Sequence, residues 1–375
     1  MKKPSLIMLS VAVAVTVPAA ISDDQSYVAI LAETKLMRIA GMPPLPDIPE
    51  LPAGVKLPGN LVLPGKPSRT LNVRLWSPTV AADGATASLT VPAGLKLGEK
   101  LDLELYRPTE AENSGQSGGA GTSGSVPDFT IKIYWGSSAT VQAGQPKIIK
   151  MADLTREQMI EMGKRMKESQ PMMRPGAGGA PSYFFKPNWT TAHWPTATDP
   201  GSVAKDASML GTYTLSTSYT GNVSIDVPAG VDFLAPIQMT SPNLEQKIAM
   251  DSAINFEWTA IPNALGQNAS ILGMEGKNTL IVWNSSEVFT EGMLMDMSFL
   301  QMSEVRQKVS YKAFMPPEQT KVIVPAGIFK ESDFAMMNMI AYGPGTALDK
   351  AQPLPRVQTK STLNIMLGGK KVKGF

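Results

Sequence analysis

A single histidine, His193, and a complete absence of cysteine set the limits on the chemistry open to this 375-residue chain. A histidine-based metal site needs several ligands. A Ser-His-acid triad needs this one ring beside both a nucleophile and an orienting acid. His193 lies in Thr191-Ala192-His193-Trp194-Pro195, where aromatic and turn residues predict a loop histidine packed on Trp189 or Trp194. Without cysteine there are no thiol nucleophiles, thiolate metal sites or covalent haem attachments. Three other candidates remain: paired carboxylates, a glycine-serine elbow and clustered methionines.

Asp102 and Glu104 stand two residues apart in Leu101-Asp102-Leu103-Glu104-Leu105-Tyr106. A pair of carboxylates can do acid–base work on a glycosidic bond when they face each other across a cleft, about 5–10 Å apart. Strict alternation predicts instead the solvated face of a strand, with the three leucines on its other face. Gly115-Gln116-Ser117-Gly118-Gly119 matches the G-x-S-x-G elbow in form. The elbow works on a strand-to-helix turn, and here the match sits inside the low-complexity run Asn113 to Ser125, a flexible loop. Methionine is abundant at 23 residues. Met293, Met295 and Met297 alternate, and Met336, Met337 and Met339 form a second cluster. Thioethers are soft ligands suited to Cu(I), but Met also fills irregular core gaps, and the core reading predicts sulfurs dispersed among apolar side chains. No residue is assigned a catalytic, cofactor-binding or metal-binding role.

The N-terminus speaks to destination. Lys2 and Lys3 precede the apolar run Leu6 to Val17, and Pro18-Ala19-Ala20-Ile21-Ser22 supplies a small-residue exit. This is the pattern of a secretory signal peptide, residues 1–22, with the mature chain beginning between Ala20 and Asp23. The run is too short to span a bilayer comfortably, and no later stretch is apolar enough to do so. The chain holds 34 basic and 32 acidic residues. Losing Lys2 and Lys3 leaves 32 of each, so the exported chain is close to neutral and lacks the basic stripe of a nucleic-acid binder. Only the tail, residues 370–375, is basic. Domains without disulfides in an oxidising compartment must be held by buried cores.

These candidates sit on a mainly β framework. Residues 23–68 predict a short helix, Tyr27 to Ile39, followed by a proline-rich spacer that can form neither a helix nor a central strand. Strands are predicted at Leu71 to Trp76, Ala87 to Val91, Leu101 to Tyr106, Phe129 to Trp135, Lys147 to Met151, Tyr213 to Tyr219 and Val223 to Val227. Thr155-Arg156-Glu157-Gln158 has the form of a capping box opening a helix to Glu168. Further strands are predicted at Ala253 to Trp258, Thr279 to Trp283, Lys321 to Val324, Ala335 to Tyr342 and Thr362 to Leu367. Ser303 to Val309 predicts a short helix. The expected division is one β-sandwich over 69–240, with the Gly/Ser loop and a helical insertion, and a second over 241–369.

Val-Pro-Ala-Gly occurs at Val91 to Gly94, Val227 to Gly230 and Val324 to Gly327, each time after an alternating strand. Proline ends the ladder and glycine allows the turn. Trp258, followed by Pro262-Asn263-Ala264 and the later Val-Pro-Ala-Gly corner, resembles fibronectin-III-like or immunoglobulin-like modules of bacterial exported proteins. Ile131-Lys132-Ile133-Tyr134-Trp135-Gly136, with Val141-Gln142-Ala143-Gly144-Gln145-Pro146, resembles an uncharacterised family of secreted bacterial proteins, although Ser137 and Ser138 replace the cysteine that often follows the Trp-Gly. The resemblance implies two immunoglobulin-like or fibronectin-III-like β-sandwich domains with short helical insertions, and export. The function expected is a non-catalytic binding or structural role, periplasmic, surface or extracellular, with an unknown protein or cell-surface partner and no cofactor. A carbohydrate-active hydrolase using an Asp/Glu pair and methionine-based Cu(I) binding are the alternatives.

Overall fold

The computed structural model describes residues 25–44, 63–107, 129–155, 171–174, 177–181, 189–196, 199, 203–290, 293, 300–351 and 353–369. The leader, residues 45–62 of the proline-rich spacer, the Gly/Ser run with its elbow-like motif, the helix expected after Thr155 and the basic tail lie outside the described residues. In chain order the strands are β1 (Tyr27–Ile39), β2 (Ser68–Ser77), β3 (Ala87–Thr90), β4 (Lys100–Asp102), β5 (Glu104–Tyr106), β6 (Thr130–Trp135) and β7 (Lys147–Lys150). Then come β8 (Pro171–Arg174), β9 (Ala177–Pro181), β10 (Thr190–Trp194), β11 (Gly211–Thr217), β12 (Val223–Val227) and β13 (Met239–Ser241). The last are β14 (Ile254–Trp258), β15 (Gly266–Glu275), β16 (Thr279–Asn284), β17 (Lys321–Val324), β18 (Phe334–Ala347) and β19 (Leu354–Gly368). One α-helix, α1 (Met302–Ser310), is described, and its capping box joins Gln301 and Glu304. No helix among the described residues is long and apolar enough to cross a membrane.

The main correction concerns Tyr27 to Ile39, which is a strand and not a helix. Its Ala, Leu, Met, Glu and Lys content favours helix locally. Tertiary context overrides this, because β1 sits near the middle of a ten-stranded sheet of order β5-β10-β2-β1-β19-β18-β15-β16-β6-β7. A strand buried on both faces shows a nearly continuous apolar run rather than alternation. Val28, Ile30 and Ala32 pack on one face, while Ala29 and Leu31 pack with Trp76 and Trp189 on the other. β1 runs parallel to β19 through 13 paired positions, from Tyr27 opposite Leu354 to Ile39 opposite Met366. The first and last described strands thus lie side by side.

Two cores form on one face of this sheet, here called the inner face. Between β10, β2, β1 and the four-stranded sheet β12-β11-β3-β4, one core holds Leu71, Val73, Trp194, Leu89, Tyr213 and Ile225. The other holds Ile271, Trp283, Met337, Leu363, Phe256 and Trp258, beneath the three-stranded sheet β13-β14-β17. Val357 of β19 belongs to the first core and Leu363, Ile365 and Leu367 to the second. The division expected at 240/241 therefore falls inside β13, and the large sheet draws strands from both sides of it.

A polar seam separates the cores where Thr34 is paired with Ser361, one row from Thr359 opposite Ala32. The chain passes from one core to the other here, with Phe233 in the first core and Leu234 and Ile237 in the second. Thr34 Oγ1 donates to the Leu234 carbonyl at 2.7 Å. Gly343 is needed here, because a Cβ would collide with Thr359 Oγ1 and Leu234.

The three Val-Pro-Ala-Gly corners end β3, β12 and β17, and each buries its valine. Gly230 and Gly327 take positive φ as expected, at 92° and 77°. The first corner differs: Ala93–Leu95 forms a 3-10 turn, and Lys96 adopts the left-handed conformation at φ 60°. The alternating segment Leu101 to Tyr106 is also two strands. β4 pairs with β3 in the small sheet, Leu103 interrupts the run with its N–H still donating to Ala87 O at 2.9 Å, and β5 pairs with β10 at the edge of the large one.

Candidate functional site

The outer face of the large sheet, opposite the two cores, carries the densest set of chemistry-bearing side chains. Strand alternation puts Glu104, His193 and Arg74 there in one row. His193 is paired in register with Arg74 of β2 on one side and Glu104 of β5 on the other. His193 is therefore an interior-strand residue and not the loop histidine expected from its aromatic neighbours. Trp194 faces the opposite side, into the core. Arg74 is 2% exposed, and its guanidinium donates to the carbonyls of Val73 and Trp194 at 3.0 Å each. Burial pulls its pKa down to about 10, which leaves it charged at neutral pH.

His193 is 8% exposed. Its Nε2 makes no hydrogen bond among the described residues and lies 3.9 Å from Glu104 Oε2. Burial, then the Arg74 charge, push the imidazole pKa below its ordinary value, with Glu104 pulling the other way. The folded protein thus favours neutral His193, so the unfolded chain takes up the proton first. Stability from this site is complete above the ordinary histidine value of about 6.5. It is lost as pH falls through the lower folded value, at up to about 1.4 kcal/mol per pH unit. His193→Gln should flatten the stability profile just below that pH, measured as urea midpoints across a pH series. An unchanged slope would mean that other groups carry the acid response.

Two rows further along, Glu33 of β1 stands opposite Lys360 of β19, and Lys35 stands opposite Thr362. Glu33 is 7% exposed. Thr362 Oγ1 donates to its Oε1 at 2.6 Å, while the Lys360 and Lys35 ammonium groups each lie 3.5 Å from the carboxylate. Burial is the largest single influence on this carboxyl and would raise its pKa. The combined pull of Lys360, Lys35 and Thr362 outweighs it and holds the group below the usual carboxylate range. A carboxylate surrounded by donors stays ionised and is a poor proton carrier. Its chemistry is that of an electrostatic staple between β1 and β19. Beside the staple, a small cavity under α1 is lined by Leu31, Leu300, Met302, Val305, Tyr342 and Lys360, mostly apolar in character.

The other residues singled out by sequence fall elsewhere. Asp102 and Glu104 are exposed on strands of different sheets, and Asp102 pairs with Lys100 at 2.9 Å. Met337 and Met339 are fully buried in the second core, and Met293 packs with Ile131, Ile133 and Val282. Met295 and Met297 lie outside the described residues. Among the described residues no group of three or more His, Asp and Glu side chains converges as a metal site. Sequence reasoning missed Glu33, Lys360 and Thr362 as a set. Glu33 and Thr362 are 329 positions apart, and nothing local signals that they meet. Comparison with protein-family models, with curated proteins and with solved structures finds no match for this chain.

Proposed function

We propose that this is an exported, non-catalytic structural or binding protein of the bacterial envelope or extracellular space, built from two immunoglobulin-like or fibronectin-III-like β-sandwich modules. The N-terminal leader pattern supports export. Two cores, each covered by a smaller sheet, support the module reading, as does Trp258 buried in the second core. Its partner is a protein or a cell-surface component rather than a nucleic acid, in keeping with near-zero net charge.

The parallel pairing of β1 with β19 carries the structural reading. The chain enters β1 at Tyr27, beside Leu354, and leaves β19 at Gly368, beyond the far end of the pair. Tension between these two points therefore shears the 13 paired positions together instead of opening them one at a time. The Glu33 staple ties the middle of that pair. This geometry suits a module that transmits load.

Force spectroscopy tests it. Handles at the two chain ends load the pair in shear. A handle on Lys277→Cys paired with one at the C-terminus pulls across the strands, because the turn after β15 and the end of β19 lie at the same end of these neighbouring strands. The chain has no native cysteine to compete for attachment. The end-to-end geometry should need the higher rupture force. Equal or lower force in that direction would overturn the load-bearing reading.

A further inference from the structure

β5 stands at one edge of the ten-stranded sheet and is paired to β10 at three positions, Glu104 to Tyr106. Its two flanks are anchored differently. Before it, Asp102 is paired with Ser88 of the small sheet, and buried Leu103 donates its N–H to the Ala87 carbonyl at 2.9 Å. After it, Arg107 pairs with Asp83, whose side chain is fully exposed. A short edge strand between a fixed point and a solvent-screened ion pair can open locally while the rest of the fold stays closed.

β5 lies directly beside His193, the one histidine of the chain. The ring is buried, and its Nε2 has no partner among the described residues. A proton added there places a second cation next to Arg74 of β2, which is fixed by two carbonyls. Glu104 of β5 pulls the other way, but its side chain is 52% exposed and solvent screens it. The adjoining rows bring Tyr106, Thr191, Trp76 and Asn72, and beyond Arg74 the row continues through Ala29 to Arg356 of β19. Arg74 and Glu104 are therefore the charged side chains nearest the ring among the described residues. Burial is the largest penalty on the protonated ring, ahead of Arg74. Lifting β5 away from β10 ends that burial.

We propose that β5 is an acid-released latch: a proton on His193 frees β5 from β10, while β4 and the rest of the large sheet stay paired. The closed strand disfavours the proton and the open strand admits it. The opening equilibrium therefore rises by up to about tenfold per pH unit below about 6.5, the ordinary histidine value, until the closed site itself titrates. The latch depends on neither the load-bearing reading nor export, since it uses no contact between β1 and β19 and nothing of the leader.

The test is amide hydrogen exchange of the full chain, followed by NMR between pH 7.5 and pH 4.5 and corrected for the intrinsic pH dependence of exchange. The Cε1 proton signal of the single histidine is recorded alongside. The protected amides of Glu104 to Tyr106 should lose at least about tenfold in protection over this range. Those of β1, and of β7 at the opposite edge of the same sheet, should keep theirs. His193→Gln should hold the protection of β5 constant. Equal losses in β5 and β1 would overturn the proposal, because His193 would then be exposed by global unfolding alone, and this contrast needs no variant to fold. So would β5 amides unprotected already at pH 7.5, since no latch would be closed. A His193 signal titrating above the ordinary value would overturn it as well, because acid would then tighten the strand.

Discussion

Removing the Glu33 carboxylate should cost about 3–5 kcal/mol of stability at neutral pH, the range for breaking a buried ion pair from one side. Glu33→Ala takes away the group that Thr362 Oγ1 donates to and that Lys360 and Lys35 approach. The Lys360 side chain is only 12% exposed, so water cannot replace the lost partner cheaply. Most of the cost is the desolvation of that ammonium group, so the matched change Glu33→Leu/Lys360→Met should recover much of it. The pH dependence gives an independent signature. Glu33 titrates below its ordinary range in the folded protein, so its stabilisation is full above the unfolded carboxylate value. It is lost as pH falls through the lower folded value. Equilibrium urea unfolding of parent and variant should therefore converge in strong acid. A Glu33→Ala cost below about 1 kcal/mol at neutral pH would place this cluster among weak, solvent-screened pairs.

The staple also shows where sequence reading stops. Strands with one wet face, such as Ile254 to Trp258 or Val223 to Val227, announce themselves by alternation, and both lie where they were expected. The helix at Met302–Ser310 also lies where a short helix was expected, over Ser303 to Val309. β1 is not, because it is buried on both faces and its residues favour helix, so no polar phase marks it as a strand. Leu101 to Tyr106 looks like one strand because alternation continues through Leu103, although the chain changes sheets there. His193 looks like a loop residue beside tryptophan and proline, yet the two strands flanking β10 fix its place. Sites made by register between β1 and β19 carry no local mark. Glu33 and Lys360 become neighbours only once the two strands are known to run parallel.

Replacing Trp258 with alanine should cost about 3–5 kcal/mol, as truncation of a large buried aromatic does. Trp258 is 3% exposed and shares its core with Phe256, Val322 and Val324 of the small sheet and with Ile271 and Trp283 of the large one. It joins the two layers rather than capping one of them, so the void it leaves has walls on both sides that cannot collapse independently. Its indole also has a polar duty. Nε1 donates to Gln267 Oε1 at 2.9 Å, and the Gln267 amide nitrogen donates to the carbonyls of Pro316, Pro317 and Gln319. Gln267 is 0% exposed, so the tryptophan satisfies an acceptor with no access to water. Trp258→Phe separates the two contributions. It keeps much of the aromatic packing but orphans that oxygen, and should cost about 1–3 kcal/mol, the desolvation penalty of one buried polar group. Urea unfolding followed by far-ultraviolet circular dichroism gives both numbers. Alanine costing no more than phenylalanine would show that the hydrogen bond, and not the packing between sheets, is what this residue contributes.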